Sequence, residues 1–153
     1  MKILWPGRTR DHNLKELQDS YLQKINSMER CDLVQIKEAR GLTERMEKKI
    51  LEIEAIGLEK HLKDDYIICL FDKGKEMNSE EFAHFLQGKR VNSTQTLTFI
   101  VGGFLGLADR IIKKSHFLLS LSKMTFSHEL TRVILLEQIY RSLTIIHGRQ
   151  YAK

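Results

Sequence analysis

The chain has a single proline, Pro6, and two cysteines, Cys31 and Cys69. With so little proline, and with no repeat, low-complexity tract or Ser/Gly-rich linker, nothing marks a domain boundary, and one domain over residues 1–153 is expected. The cysteines are far apart, without a CxxC or a histidine at ligand spacing, which excludes a zinc ribbon and a disulfide scaffold and suits a reducing cytosol. No ligand set suggests a metal. No apolar stretch approaches the roughly 20 residues needed to cross a bilayer. The opening MKILWPGRTR turns charged too early for a secretory signal. A membrane or secreted protein is therefore not expected; a cytoplasmic one is.

What is present points to a packed domain. Of 153 residues, 42% are hydrophobic and 29% charged, which places the chain with globular rather than disordered sequences. At this length folding hides roughly 70% of the unfolded surface, enough for one proper core. Lysine and arginine total 25 against 20 acids, a formal charge of +5 with a pI near 9.2. Such a surplus concentrates polyanions, so RNA, DNA or acidic headgroups are candidate partners, with nucleic acid favoured.

Five short apolar runs, at 3–4, 33–36, 66–71, 97–101 and 117–121, alternate with helical periodicity. That alternation is the signature of βαβ units and predicts an α/β fold, a parallel-rich open sheet flanked by helices. The runs at 66–71 and 97–101 are almost continuously apolar, as strands covered on both faces should be. Leu14, Leu17, Tyr21 and Ile25 predict a first helix with Asn13 as its cap. Met46, Ile50 and Ile53 mark the buried stripe of a second, and Ser79 caps a third. Helices are also expected over 107–114 and 129–146, the last with an apolar face of Val133, Leu136, Tyr140 and Leu143. That face covers either the chain's own sheet or a second subunit. In open α/β sheets ligands sit beyond the carboxyl ends of the strands, which directs attention to the segments after Phe71, Val101 and Leu121.

After Val101 the chain reads Gly102-Gly103-Phe104-Leu105-Gly106-Leu107. Glycines let backbone amides approach a ligand, but the spacing is neither the dinucleotide fingerprint nor a Walker loop. It is either a tight strand-to-helix turn or an adenosine contact. After the last run, Leu121-Ser122-Lys123-Met124-Thr125-Phe126-Ser127-His128 mixes polar and apolar groups without a period. That segment either lines a pocket, with Met124 and Phe126 on a ring, or is a buried loop. Glu137 and Arg141 are four apart and share a helix face.

Taken together, the GGxxGL turn, the run SLSKMTFSHELTRVILLEQIYR, Ile145-Ile146-His147-Gly148 and Tyr151 resemble ribosomal RNA large subunit methyltransferase H over essentially the whole chain. The resemblance implies a SPOUT-class fold with a C-terminal trefoil knot, an exception to the rule that chains avoid knots. It implies an S-adenosyl-L-methionine-dependent homodimer that methylates N3 of a pseudouridine in 23S ribosomal RNA on the assembled ribosome. Carried over by position, cofactor contacts fall on Phe71, Gly102, Leu121, Ser122, Lys123, Met124, Thr125 and Phe126. The chain departs from the family pattern at Phe71, which stands for a usual leucine, at Phe104-Leu105, where a small or polar pair is common, at Ser127 for a frequent proline, and at Ala152 for a tail histidine.

On that reading Arg141 orients the base and stabilises the imide anion left when N3 loses its proton, with Glu137 holding Arg141. Arg132 and Lys153 are assigned to RNA phosphate, and Tyr151 to stacking on the base or bonding its edge. His128 either takes the proton or packs locally. The rival reading is a non-catalytic knotted RNA-binding or ribosome-assembly factor that keeps the cofactor.

Overall fold

The computed structural model describes residues 1–39, 41–92 and 94–150. Tyr151 and Lys153 therefore lie outside the described residues. Five strands, β1 (Lys2–Pro6), β2 (Asp32–Ile36), β3 (Asp65–Glu76), β4 (Thr96–Ile100) and β5 (Phe117–Ser120), form one parallel sheet in the order β2-β1-β4-β3-β5. The helices between them are α1 (His12–Asn26), α2 (Glu47–Glu59), α3 (Ser79–Asn92), α4 (Asp109–Lys114) and α5 (His128–Ile146). The expected α/β alternation is what the chain builds.

The sheet is covered on both faces, which is why its central strands read as continuous apolar runs. One layer packs α1, α3 and α5 over Ile3, Trp5, Ile68 and Phe99. The other sets α2 and α4 over Leu4, Ile67, Cys69 and Ile100. Each fully buried leucine or isoleucine contributes about 1.5–3 kcal/mol relative to exposure. Leu136 and Leu143 of α5 belong to the first layer and Tyr140 packs against it, so that face covers the chain's own sheet. Both cysteines are free, and burial pushes each thiol up to about 12, so they behave as inert core groups.

Several local expectations are corrected. Helix α1 is capped by Asp11, whose carboxylate accepts the Leu14 N–H at 2.9 Å, not by Asn13. At α3 the cap is Asn78, which exchanges side-chain bonds of 2.8 Å with Glu81 in a capping box, leaving Ser79 inside the helix. Helix α4 begins only at Asp109. The stripe of α2 is rotated from its expected position: Ala55, Leu58 and Glu54 are buried, while Met46 and Ile53 are 42% and 41% exposed. Residues 54, 55 and 58 share a face with sheet and turn to cover, and tertiary packing outweighs the apolar periodicity there.

Two features position the site. The connection from β4 to β5 passes over β3, so the segments leaving β3, β4 and β5 converge at one end of the sheet. Strand β3 also slips along β5, with both Leu70 and Lys75 paired to Leu119. Gly74 makes that close passage possible, because a Cβ there would lie 2.7 Å from the Leu119 carbonyl carbon.

Candidate functional site

The three converging segments enclose a cavity of about 410 Å³. Its floor is the glycine turn after β4. The Gly106 N–H donates to the Gly103 carbonyl at 3.1 Å, closing the turn. A Cβ on Gly102 would come within 2.5 Å of the Gly106 carbonyl carbon, and Gly106 itself sits at φ +81°. The two glycines meet different demands, one for room and the other for a left-handed backbone. The tight turn and the cavity floor are thus one structure.

The opposite wall is the segment after β5. The Ser120 hydroxyl donates to the Ser122 carbonyl at 3.0 Å, and the Ser122 hydroxyl accepts the Met124 N–H at 3.0 Å, so the loop is ordered by its own serines. Met124 is 74% exposed and lines the cavity, which removes the buried-loop alternative. Ser127 caps α5 by accepting the Leu130 N–H, so serine replaces proline here with a gain in capping.

Of the expected cofactor residues, Phe71, Gly102, Leu121 and Ser122 line the cavity, as do Met124, Thr125 and Phe126. Lys123 is exposed and outside the lining. His128 lines the cavity from the first turn of α5, edge-on to the Phe104 ring at 6.4 Å. Burial, aided by nearby Arg132 and opposed by Glu129, lowers its pKa, so its imidazole is neutral at pH 7 and able to accept a proton. Reasoning from sequence missed Phe104, Leu105 and Gly106, although the glycine motif itself carried the signal. It also missed Leu70 and Leu119, whose facing is set by sheet register, and Thr131, one turn along α5 from His128.

Arg132 is a correction. It is 1% exposed and cannot reach RNA phosphate. Its guanidinium donates to the Pro6 carbonyl at 2.6 Å and the Thr9 hydroxyl at 3.2 Å, and stacks over Trp5. Burial lowers its pKa to about 10, which leaves it charged at neutral pH. Arg132 shares the buried face of α5 with Leu135, Leu136 and Ile139, which turns its side chain inward.

Glu137 and Arg141 do pair, with Nη2 to Oε1 at 2.6 Å and Nε to the same oxygen at 3.0 Å. The second carboxylate oxygen accepts from Gln138, whose own carbonyl accepts from the Ser79 hydroxyl. Arg141 is thus held by a chain of bonds anchored on α3. Neither residue lines the cavity. At 1.5 Å rise per residue, Arg141 stands about 20 Å along α5 from His128. Among the described residues no group of three or more His, Cys, Asp or Glu is placed to hold a metal, and no helix is long and apolar enough to cross a membrane.

The family model described as "Predicted SPOUT methyltransferase" matches residues 1–152. The chain belongs to the SPOUT methyltransferase family. Its relatives include "Ribosomal RNA large subunit methyltransferase H" of Thermodesulfovibrio yellowstonii, 38% identical over 98% of this chain and 96% of that one. The same description is carried by a protein of Caldicellulosiruptor saccharolyticus, 35% identical over 100% of this chain and 99% of its own. Among solved structures, "Probable Methyltransferase" from Bordetella pertussis superposes with a TM-score of 0.58 at 12% identity, covering 93% of each chain, a likeness of fold. Membership makes the chain an enzyme of the SPOUT methyltransferase type, and the cavity at the strand ends is its candidate active site.

Proposed function

We propose that this protein is an S-adenosyl-L-methionine-dependent methyltransferase acting on N3 of a pseudouridine in 23S ribosomal RNA. It works in the cytoplasm on the assembled ribosome, as a homodimer whose C-terminal part forms a trefoil knot. The observation that carries the reading is the convergence of the glycine turn and the serine-ordered loop on one cavity, in a chain whose relatives are described as ribosomal RNA large subunit methyltransferases.

The cavity suits the cofactor. About 410 Å³ lies within the usual range for small-molecule sites. Gly102, Gly103 and Gly106 offer backbone with no side chain in the way. Phe71, Leu121, Met124 and Phe126 give apolar walls for a purine, with Ser122 and Thr125 among the lining for polar edges. When bound, S-adenosyl-L-methionine supplies an electrophilic methyl group on a sulfonium. The protein's own contribution is alignment, which can account for roughly 7–11 kcal/mol of a two-reactant barrier.

The N3 proton must leave before or during transfer. His128, neutral and on the cavity wall, is a group able to receive it. Arg141 orients the base and stabilises the imide anion, with Glu137 fixing its geometry. Since Arg141 lies far along α5 from its own cavity, the reading places Arg141 of a second copy at each site, which is the physical case for a dimer. Tyr151 and Lys153 complete the RNA contact.

Mass spectrometry of ribosomal RNA from cells lacking and then regaining the protein tests the reading; one methyl mark should return. Arg141→Ala should abolish turnover while cofactor affinity stays within a few-fold. Tight cofactor binding with no mark in either case would favour the rival, an RNA-binding assembly factor.

A further inference from the structure

A second cavity, of about 600 Å³, adjoins the first, and Phe104 and Leu105 line both. Its chemistry differs. Beside its glycine backbone and apolar side chains the first carries Asp72, Ser122, Thr125 and His128, whereas the second sets Glu38, Glu54 and Arg10 among Leu42 and Ile50. Glu54, on α2, is 5% exposed yet faces this space. The Ala39 N–H donates to its carboxylate, which leaves acceptor positions open on a group with about four. The same carboxylate backs the glycine turn, because a Cβ on Gly103 would lie 2.8 Å from Glu54 Oε2.

Glu38 is paired with Arg10, but among the described residues the buried Glu54 carboxylate has no cation bonded to it and disfavours a phosphate in the buried part of this cavity. It suits a flat neutral ring that donates N–H from its edge. Phe104, 69% exposed at the boundary, gives such a ring a face to stack on. Arg10 is exposed and bonded to Glu38 at 2.6 Å, which puts a cation beside the cavity to meet the polynucleotide backbone.

Pseudouridine is linked to ribose through C5, so it presents an N1–H where uridine, in the same orientation, has C5–H. Its N1–H and N3–H flank one carbonyl. We propose that the second cavity receives the acceptor base and that the Glu54 carboxylate accepts the pseudouridine N1–H, making Glu54 the residue that distinguishes pseudouridine from uridine. The inference rests on the reading of this protein as a pseudouridine N3-methyltransferase and adds to it a recognition residue. A site built to bond an N–H discriminates strongly against an analogue without it, because the buried acceptor is then left unpaired.

The test compares kcat/KM on ribosomes carrying pseudouridine or uridine at the target position, with cofactor affinity measured by calorimetry. In Glu54→Gln the single amide oxygen is taken by the Ala39 N–H, so the NH2 group faces the cavity and opposes N1–H. Methylation of pseudouridine should fall roughly tenfold or more, methylation of uridine should change little, and cofactor affinity should hold within about threefold. The collapse of the preference supports the assignment, and a preference equal to that of the parent overturns it. Phe104→Ala alters an exposed side chain and does not threaten folding. It should raise KM for both ribosomes by roughly tenfold, in line with the loss of one stacked base, and an unchanged KM overturns the placement of the base. If the parent protein methylates neither ribosome, the proposed function itself has failed.

Discussion

Arg132→Ala is the substitution with the clearest consequence. The guanidinium is sealed between α5 and the end of β1, donating to the Pro6 carbonyl and the Thr9 hydroxyl, with the Trp5 ring beneath it. Thr9 in turn donates to Gln18 on α1 at 2.6 Å, so the arginine ties three elements together. Each hydrogen bond from a charged donor is worth about 1.5–3 kcal/mol, and losing the donor leaves buried acceptors unpaired. The partners are neutral, so the loss is that of two charge-assisted hydrogen bonds, together about 3–6 kcal/mol. For a chain of this size that is a drop of roughly 10 °C in Tm. Urea unfolding at fixed protein concentration measures it, and Arg132→Lys, which keeps the charge but loses the planar fork, should fall between parent and alanine. A loss below about 1 kcal/mol in the alanine variant would refute the argument. So would a stable variant whose ribosome affinity shows a salt slope smaller by about one, the mark of a lost phosphate contact.

Gly102→Ala should cost about 1–3 kcal/mol of stability through overpacking against Gly106 and weaken S-adenosyl-L-methionine binding in calorimetry, because the cavity floor must move. Gly106→Ala meets no atom and should cost about 1–2 kcal/mol from its left-handed backbone alone. Asp65 offers a pH signature. Burial acts to raise its pKa, but the Lys63 N–H, the Lys2 ammonium and the Thr98 hydroxyl outweigh it and hold the carboxyl below the ordinary aspartate value. Its stabilisation is therefore complete above about pH 4 and is lost as pH falls through the depressed value. Urea midpoints against pH should show that acid limb, and Asp65→Asn should flatten it while lowering stability at pH 7.

Much of the architecture was legible in the sequence because alternation between short apolar runs and helical periodicity reflects a sheet covered on both faces. The glycine turn was legible too, since neither the close approach at Gly102 nor the φ of Gly106 tolerates a side chain without strain. Local periodicity failed on α2, where a hydrophobic stripe at Met46 and Ile53 stays exposed and Glu54 goes inward. It failed again at Arg132, because a charged residue in a helix reads as surface unless its distant partners are known. Pro6 and Thr9 lie more than 120 residues away.

The order of residues by itself determined the alternation of strands and helices, the glycine turn and the pairing of Glu137 with Arg141, since each depends on neighbours within a few positions. Tertiary structure alone decided which face of α2 is covered, that Arg132 ties the fold rather than RNA, that Arg141 stands far from its own cavity, and that an acid-lined space adjoins it. Those outcomes arise where segments distant in sequence compete for the same buried volume, and burial and hydrogen bonding, not periodicity, settle that competition.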